Sequence, residues 1–282
     1  MKIVIAPDSF KDSLSSSEAC DAIEKGIKRI LPKAITNKIP LADGGEGTAE
    51  VLGTTLKAEK VECDSEDALG RKIKAYYYKK NDLAILDMAA CSGLQGLKQS
   101  ERNPKNTSSY GTGLMIRHAI DNGVKKIILG LGGSATCDAG LGMAAALGYR
   151  FYANRKEIEK PTGGDLQQID VLEKSEGISL SGIDIQIACD VTNPLYGSNG
   201  SAFIYARQKG ADDQQIRELD AGLKNIGSLC DNELELEASN FPGAGAAGGM
   251  GAGALWFLKA KLRPGAKLML DLLNFDAQLI DS

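Results

Sequence analysis

The chain has 282 residues, of which 43% are hydrophobic, 25% charged and 33 are glycine. That is an ordinary globular composition, long enough for a sizeable core and more than one domain. A net charge of -4 without a dense basic block argues against nucleic acid as a partner, and no apolar run approaches a membrane span. The six cysteines are scattered without a CxxC pair, as expected for reduced thiols of a cytoplasmic protein.

The first predicted element is a short buried strand over 2–6, ended by Pro7. Ser15 and Glu18 have capping-box spacing ahead of a helix to Leu31, and Pro32 terminates it. Ala19, Ala22, Ile23, Gly26, Ile27 and Ile30 form its apolar or small face. A strand over 35–40, a glycine loop over 42–48 and a helix over 48–54 follow, the order of a parallel α/β sheet. Residues 57–63 and 71–79, with Tyr76-Tyr77-Tyr78, predict an antiparallel pair. Next come a strand over 83–88, a helix over 111–122, a strand over 126–130 and a helix over 138–148. A hairpin over 149–160, a strand over 185–190 and a helix over 212–231 complete the middle of the chain. Pro264–Asp271 reads as a strand and Asn274–Ile280 as a helix. The expected architecture is two α/β domains. The first, 1–59 with 236–282, is a Rossmann/flavodoxin-like parallel sheet; the second, 60–235, is an inserted mixed-sheet α/β domain.

Several apolar segments run into Gly/Asp loops, where backbone N–H groups can approach an anion and a carboxylate can hold Mg²⁺ or accept a proton. Gly130-x-Gly132-x-x-Ala135 matches a dinucleotide fingerprint, with Ser134, Thr136 and Asp138 expected at the loop mouth. The acidic residue that a ribose would require is missing from 149–155, which weakens a nicotinamide reading. No Gly-Lys dipeptide and no His-Arg-Asp occur, so P-loop NTPases and protein kinases are excluded. The single histidine, His118, falls mid-helix, which leaves no multi-histidine metal site and no expected Ser-His-Asp triad. Asp43, among Gly44, Gly45 and Gly47, is either a helix cap or a functional carboxylate. Asp190, at a strand end before Asn193-Pro194, is either a turn residue or a ligand at the sheet's carboxyl edge. Lys11 and Lys209 are candidate phosphate or carboxylate ligands, and the Thr107–Gly113 run is a helix cap or an anion cradle.

Taken in order, the segments 6–11 (APDSFK), 42–47 (ADGGEG), 107–113 (TSSYGTG), 132–136 (GGSAT), 163–166 (GGDL), 188–195 (ACDVTNPL), 208–211 (QKGA) and 242–249 (PGAGAAGG) resemble the type I glycerate kinase family over the whole chain. The family usually has Asn where this chain has Cys137 and Gly where it has Ala139. It also continues into a strand and a Gly-Glu-Gly-Arg-x-Asp loop beyond Ser282. The reading therefore expects a C-terminally truncated domain with an exposed sheet edge.

The resemblance implies ATP-dependent phosphorylation of glycerate to 2-phosphoglycerate with Mg²⁺, in a cleft between domains that closes to exclude water. Asp190 or Asp43 would orient or deprotonate the hydroxyl, the other lying near Mg²⁺. Lys11 would stabilise the transferring phosphoryl group or bind the glycerate carboxylate. Asp8, Ser9, Lys11, Gly44, Gly45 and Asn193 are the implied substrate contacts. Gly132, Gly133, Ser134, Thr136, Gly243, Gly245, Gly248 and Gly249 are the implied nucleotide contacts. A homo-oligomer is possible on this reading. The alternatives are a non-catalytic nucleotide- or metabolite-binding remnant of a kinase and a nicotinamide oxidoreductase.

Overall fold

The computed structural model describes residues 1–10, 13–42, 44–45, 47–174 and 177–279. The expected roles of Lys11 and Asp43 therefore fall on positions outside the described residues.

The chain opens with β1 (Lys2–Ile5), α1 (Ser16–Ile30) and β2 (Ile35–Lys38). β1 and β2 pair in parallel as a separate two-stranded sheet. The capping box forms as read: the Glu18 N–H donates to Ser15 Oγ and the Ser15 N–H to Glu18 Oε2. The apolar face of α1 is only partly covered. Ala19 is buried, whereas Ile23 and Ile30 are exposed, because the helix has only a two-stranded sheet to pack on.

The main body follows: α2 (Thr48–Thr55), β3 (Glu59–Glu66), β4 (Lys72–Lys80), β5 (Leu83–Asp87), α3 (Ala89–Ser92), α4 (Tyr110–Asp121), β6 (Lys126–Gly130) and α5 (Leu141–Ala146). β7 (Tyr149–Ala153), β8 (Lys156–Glu157) and β9 (Val171–Lys174) make a small antiparallel sheet in the order β8-β7-β9. After β10 (Asp184–Ala188) come α6 (Ser201–Tyr205), α7 (Asp213–Glu233), α8 (Ala246–Leu258), β11 (Lys261–Arg263), α9 (Gly265–Leu272) and α10 (Phe275–Leu279).

A six-stranded sheet in the order β11-β10-β6-β5-β4-β3 organises this body. β11, β10, β6 and β5 run parallel, while β4 and β3 are antiparallel additions, so the fold is α/β with a mixed main sheet. Because strand side chains alternate between faces, each central strand serves two cores. Ala84 and Leu86, Ile127 and Leu129, and Ile185 and Ile187 enter the larger core with α4, α5, α7 and α8. Ile85, Ile128 and Ala188 enter the smaller one with Leu52 of α2, Ile39, and Leu268 and Met269 of α9. The main sheet takes strands from both sides of residue 236, since β11 pairs with β10 and α8 packs in the larger core.

The expected strand over 264–271 is instead helix α9. Its buried residues Leu268 and Met269, half-buried Leu272 and the buried C-cap Leu273 follow helical spacing, which lets one stripe cover the back of the sheet. Pro264, at φ −53°, begins it without needing an N–H donor.

α4 lies very close to α5. A Cβ on Gly113 would sit 2.4 Å from the Met143 carbonyl oxygen and 2.7 Å from Ala146 Cβ. In an exposed helix interior Gly→Ala stabilises by about 1 kcal/mol, but forced overlap in a packed interior costs about 1–3 kcal/mol. The steric effect dominates because the nearest atom is backbone. Gly113→Ala is therefore expected to lower the thermal midpoint by several degrees; an unchanged or raised midpoint in calorimetry would contradict the close packing.

Candidate active site

The carboxyl ends of β6 and β10 and the loop after β2 enclose a cleft lined by Gly44, Gly45, Gly132–Ser134, Ala188–Val191, Tyr205, Lys209, Ala246 and Ala247, with Leu94 and Leu131 as apolar wall. Strand carboxyl ends are where parallel α/β sheets place ligands.

The loop after β2 is held there by close packing. Gly44 has φ +91°, and a Cβ on it would lie 2.7 Å from Ala188 Cβ. Behind it, Asp87 at the end of β5 accepts the N–H groups of Gly47 and Ala49 through Oδ2, both at 3.1 Å, and so fixes the start of α2. Asp87 stands outside the motifs named above, and its one signal in the sequence is a carboxylate ending an apolar strand.

The loop after β6 presents its backbone. Gly133 adopts φ +70°, its carbonyl accepts the Leu94 N–H at 2.8 Å, and the Ala135 N–H donates to Ser92 O at 2.8 Å. The N–H groups of Gly132, Gly133 and Ser134 donate to no other described residue. Consecutive unsatisfied N–H groups of this kind make an anion-binding concavity. No helix opens on the loop, because α5 starts only at Leu141, so the dipole that a dinucleotide turn relies on is missing here.

Asp138 does not reach the loop mouth. It is fully buried and accepts the Ser109 N–H and Oγ–H at 2.7 Å through Oδ2, with Gly140 N–H at 3.2 Å and Gly142 N–H at 3.3 Å. Burial raises its carboxyl above the ordinary range, and these hydrogen bonds oppose that rise. The 107–113 segment is thus part of the scaffold, with Ser109 bridging Asp138 and the Met143 N–H. Thr136 is fully buried behind the loop. Ala139 adopts φ +53° while fully buried, a backbone state that costs an alanine about 1–2 kcal/mol.

The glycines of 243–249 serve close packing. A Cβ on Gly248 would be 1.9 Å from Thr136 O, and one on Gly245 would be 2.2 Å from Pro194 O. Gly243 abuts Cys189 and Leu262, and Gly249 abuts Leu195 and Ala139. Only Ala246 and Ala247 of this stretch line the cleft.

Asp190 is exposed in the cleft, and its Oδ1 accepts the Gly265 N–H at 2.9 Å. Asn193 is turned into its own loop: its amide donates to Asn199 O at 2.9 Å and its Oδ1 accepts the Tyr205 hydroxyl at 2.6 Å. Asp8 and Ser9 are exposed beyond β1, and the Ser9 N–H donates to Asp8 Oδ1 at 2.6 Å. Neither lines the cleft. His118 lies on α4 with Nδ1 3.3 Å from the Tyr77 hydroxyl, away from the cleft.

Lys209 lies inside, 2% exposed, with Nζ 2.8 Å from Ser134 Oγ and 2.7 Å from Thr136 O. Burial pulls its ammonium down from 10.5 to about 8, with Cys137 and Asp138 acting the other way. Between about 8 and 10.5 the unfolded chain binds more protons at this site than the folded one. Stability therefore rises with pH through that window, and the burial penalty is fully present below it. The full effect is about 3 kcal/mol. Denaturant titrations at pH 8 and 10 should show wild type gaining stability relative to Lys209→Met; parallel profiles would remove Lys209 from the pH dependence.

Among the described residues no helix is long and apolar enough to cross a membrane, and no cluster of three or more His, Cys, Asp or Glu could hold a metal ion by itself.

The glycerate kinase family model matches residues 3–282. The chain is 45% identical to a glycerate kinase of Bacillus cereus, over 99% of this chain and 74% of the relative. It is 42% identical to the glycerate 2-kinase of Escherichia coli, over 100% of this chain and 74% of that protein. A crystal structure from Salmonella typhimurium LT2 assigned as a glycerate kinase 2 superposes with a TM-score of 0.92 at 42% identity, over 100% of this chain and 76% of the other. With its sequence matched end to end and its fold matched as closely, the chain belongs to the glycerate kinase family and is a kinase.

Proposed function

We propose that the cleft transfers the γ-phosphoryl group of ATP·Mg²⁺ to a hydroxyl of glycerate, giving 2-phosphoglycerate. The observation that carries this reading is the pairing, in one cleft, of the Asp190 carboxylate with the backbone N–H groups of Gly132, Gly133 and Ser134, which donate to no other described residue. Phosphoryl transfer of this kind depends on positioning and on neutralising developing charge rather than on covalent chemistry.

In this reading Gly132, Gly133 and Ser134 bind phosphate oxygens. Asp190 orients the acceptor hydroxyl and takes its proton. The Gly265 N–H fixes Oδ1, and Oδ2 accepts no hydrogen bond from a described residue. A carboxylate base fits a chain whose one histidine lies on α4. Asp43 would share with Asp190 the roles of base and metal ligand, and Lys11 would add charge stabilisation. Mg²⁺, held by one or two carboxylates with phosphate oxygens and water, would screen the phosphate charges. Six unpaired cysteines fit a cytoplasmic setting.

Asp190→Asn keeps an oxygen for the Gly265 N–H but cannot accept the proton. With ADP release from ATP·Mg²⁺ followed by a coupled assay, wild type should turn over only when D-glycerate is present. The variant should lose about 10²–10⁴-fold in kcat with a near-unchanged melting temperature. Wild-type kcat in the variant would remove Asp190 from the reaction.

A further inference from the structure

Lys209 is the one cation among the described residues that line the cleft. It arrives on the short turn between α6 and α7, fixed by Gly210 at φ +100°, where a Cβ would lie 2.1 Å from Arg102 O. Burying an ammonium is costly unless its donors and its charge are both met. Two of its three N–H donors are met by Ser134 Oγ and Thr136 O, both uncharged acceptors. No described carboxylate lies within ion-pair distance of it. Asp138, the nearby acid, is already committed to Ser109, Gly140 and Gly142.

The same Ser134 that holds Lys209 contributes its backbone N–H to the 132–134 concavity. The charge and the cradle are therefore joined by one residue. We propose that Lys209 and the N–H groups of Gly132, Gly133 and Ser134 form a single oxyanion-binding subsite. Lys209 supplies the positive charge and one remaining N–H donor, and the loop supplies directional donors. The ligand group is an oxyanion: a nucleotide phosphate, as in the reading above, or in its place the carboxylate of the hydroxy acid, which the titrations below distinguish. This rests on the reading of the cleft as the substrate site.

The subsite also carries a proton linkage. Among the described residues, Cys137 and Asp138 act on Lys209 from the loop beneath it, and Cys189, Asp190 and Tyr205 are the other titratable groups lining the cleft. Cys137 is pushed up to about 12 by burial, so it is a neutral thiol where Lys209 titrates. An incoming oxyanion favours the ammonium, and the free amine takes its proton from solvent as the anion binds. With a lysine near 8 in the free protein, the competent fraction falls about tenfold between pH 7 and 9.

The test is calorimetric titration of the whole chain with ADP, D-glycerate and inorganic phosphate separately, at pH 7 and 9. Wild type, Lys209→Met and Lys209→Arg are compared. The ligand that occupies the subsite should bind at least tenfold more weakly to Lys209→Met, with partial recovery in Lys209→Arg, while the ligand held elsewhere stays within twofold. Loss for ADP marks the nucleotide as the source of the oxyanion, and loss for D-glycerate marks the hydroxy acid. Wild-type affinity for that ligand should fall about tenfold from pH 7 to 9, and Lys209→Met should lack this fall. Unchanged binding of all three ligands to Lys209→Met, or no binding of any of them to wild type, overturns the subsite. Should Lys209→Met give no cooperative melt, the wild-type profile decides: affinities equal at pH 7 and 9 overturn it. Lys209-dependent binding without glycerate-dependent ADP release would leave the subsite standing and remove the kinase reaction proposed above.

Discussion

The parallel pairing of β5, β6 and β10 is the constraint on which the rest of the molecule depends. Residues 84–86, 127–129 and 185–187 are buried on both faces of the sheet, so the register cannot slip without exposing one core and burying polar backbone. Once that register is fixed, Asp87, Gly130 and Ala188 end at one edge. Everything at the site is then a matter of which loops can approach that edge closely enough.

Close approach explains the glycines. Gly44 on Ala188, Gly130 on Asp87, Gly245 on Pro194 and Gly248 on Thr136 each leave no room for a side chain. These contacts stack the 243–249 loop behind the 136–139 loop, which in turn sits behind the Gly132–Ser134 cradle. Asp138 ties the stack to α4 and α5 with four hydrogen bonds. Rigidity here would serve the proposed anion site, because a cradle of N–H groups binds an anion well only when its dipoles are fixed in advance.

The charge balance of the cleft follows from the same packing. Asp190 remains at the solvent edge, while Lys209 is drawn below the surface by neutral acceptors. A buried ammonium held by two neutral oxygens is less stable than an exposed one, and in the subsite proposed above a bound oxyanion would offset that cost.

Local patterns in the sequence determined a great deal. The capping box at Ser15 and Glu18, the antiparallel Tyr76–Tyr78 strand, the β6 and β10 strands and the apolar stripe of α7 are periodic or short-range signals, and they appear where the residues placed them. The ordered motifs also carried the family. What sequence could not decide was use. A glycine that lets an anion approach and a glycine that lets another backbone approach look alike, so 243–249 read as phosphate contacts, while the structure packs Gly243, Gly245, Gly248 and Gly249 against protein. An aspartate in a glycine loop reads as a ligand, yet Asp138 is fully buried. The 264–271 segment fits strand or helix locally, and the exposed back of the sheet selects the helix. The sequence offers Lys209 as a candidate anion ligand, but its burial against Ser134 and Thr136 is set only by tertiary contacts. Sequence fixes local conformation because propensity and periodicity act over a few residues. Burial, and with it the choice between scaffold and site, depends on contacts between segments far apart in the chain, and only the tertiary structure supplies those.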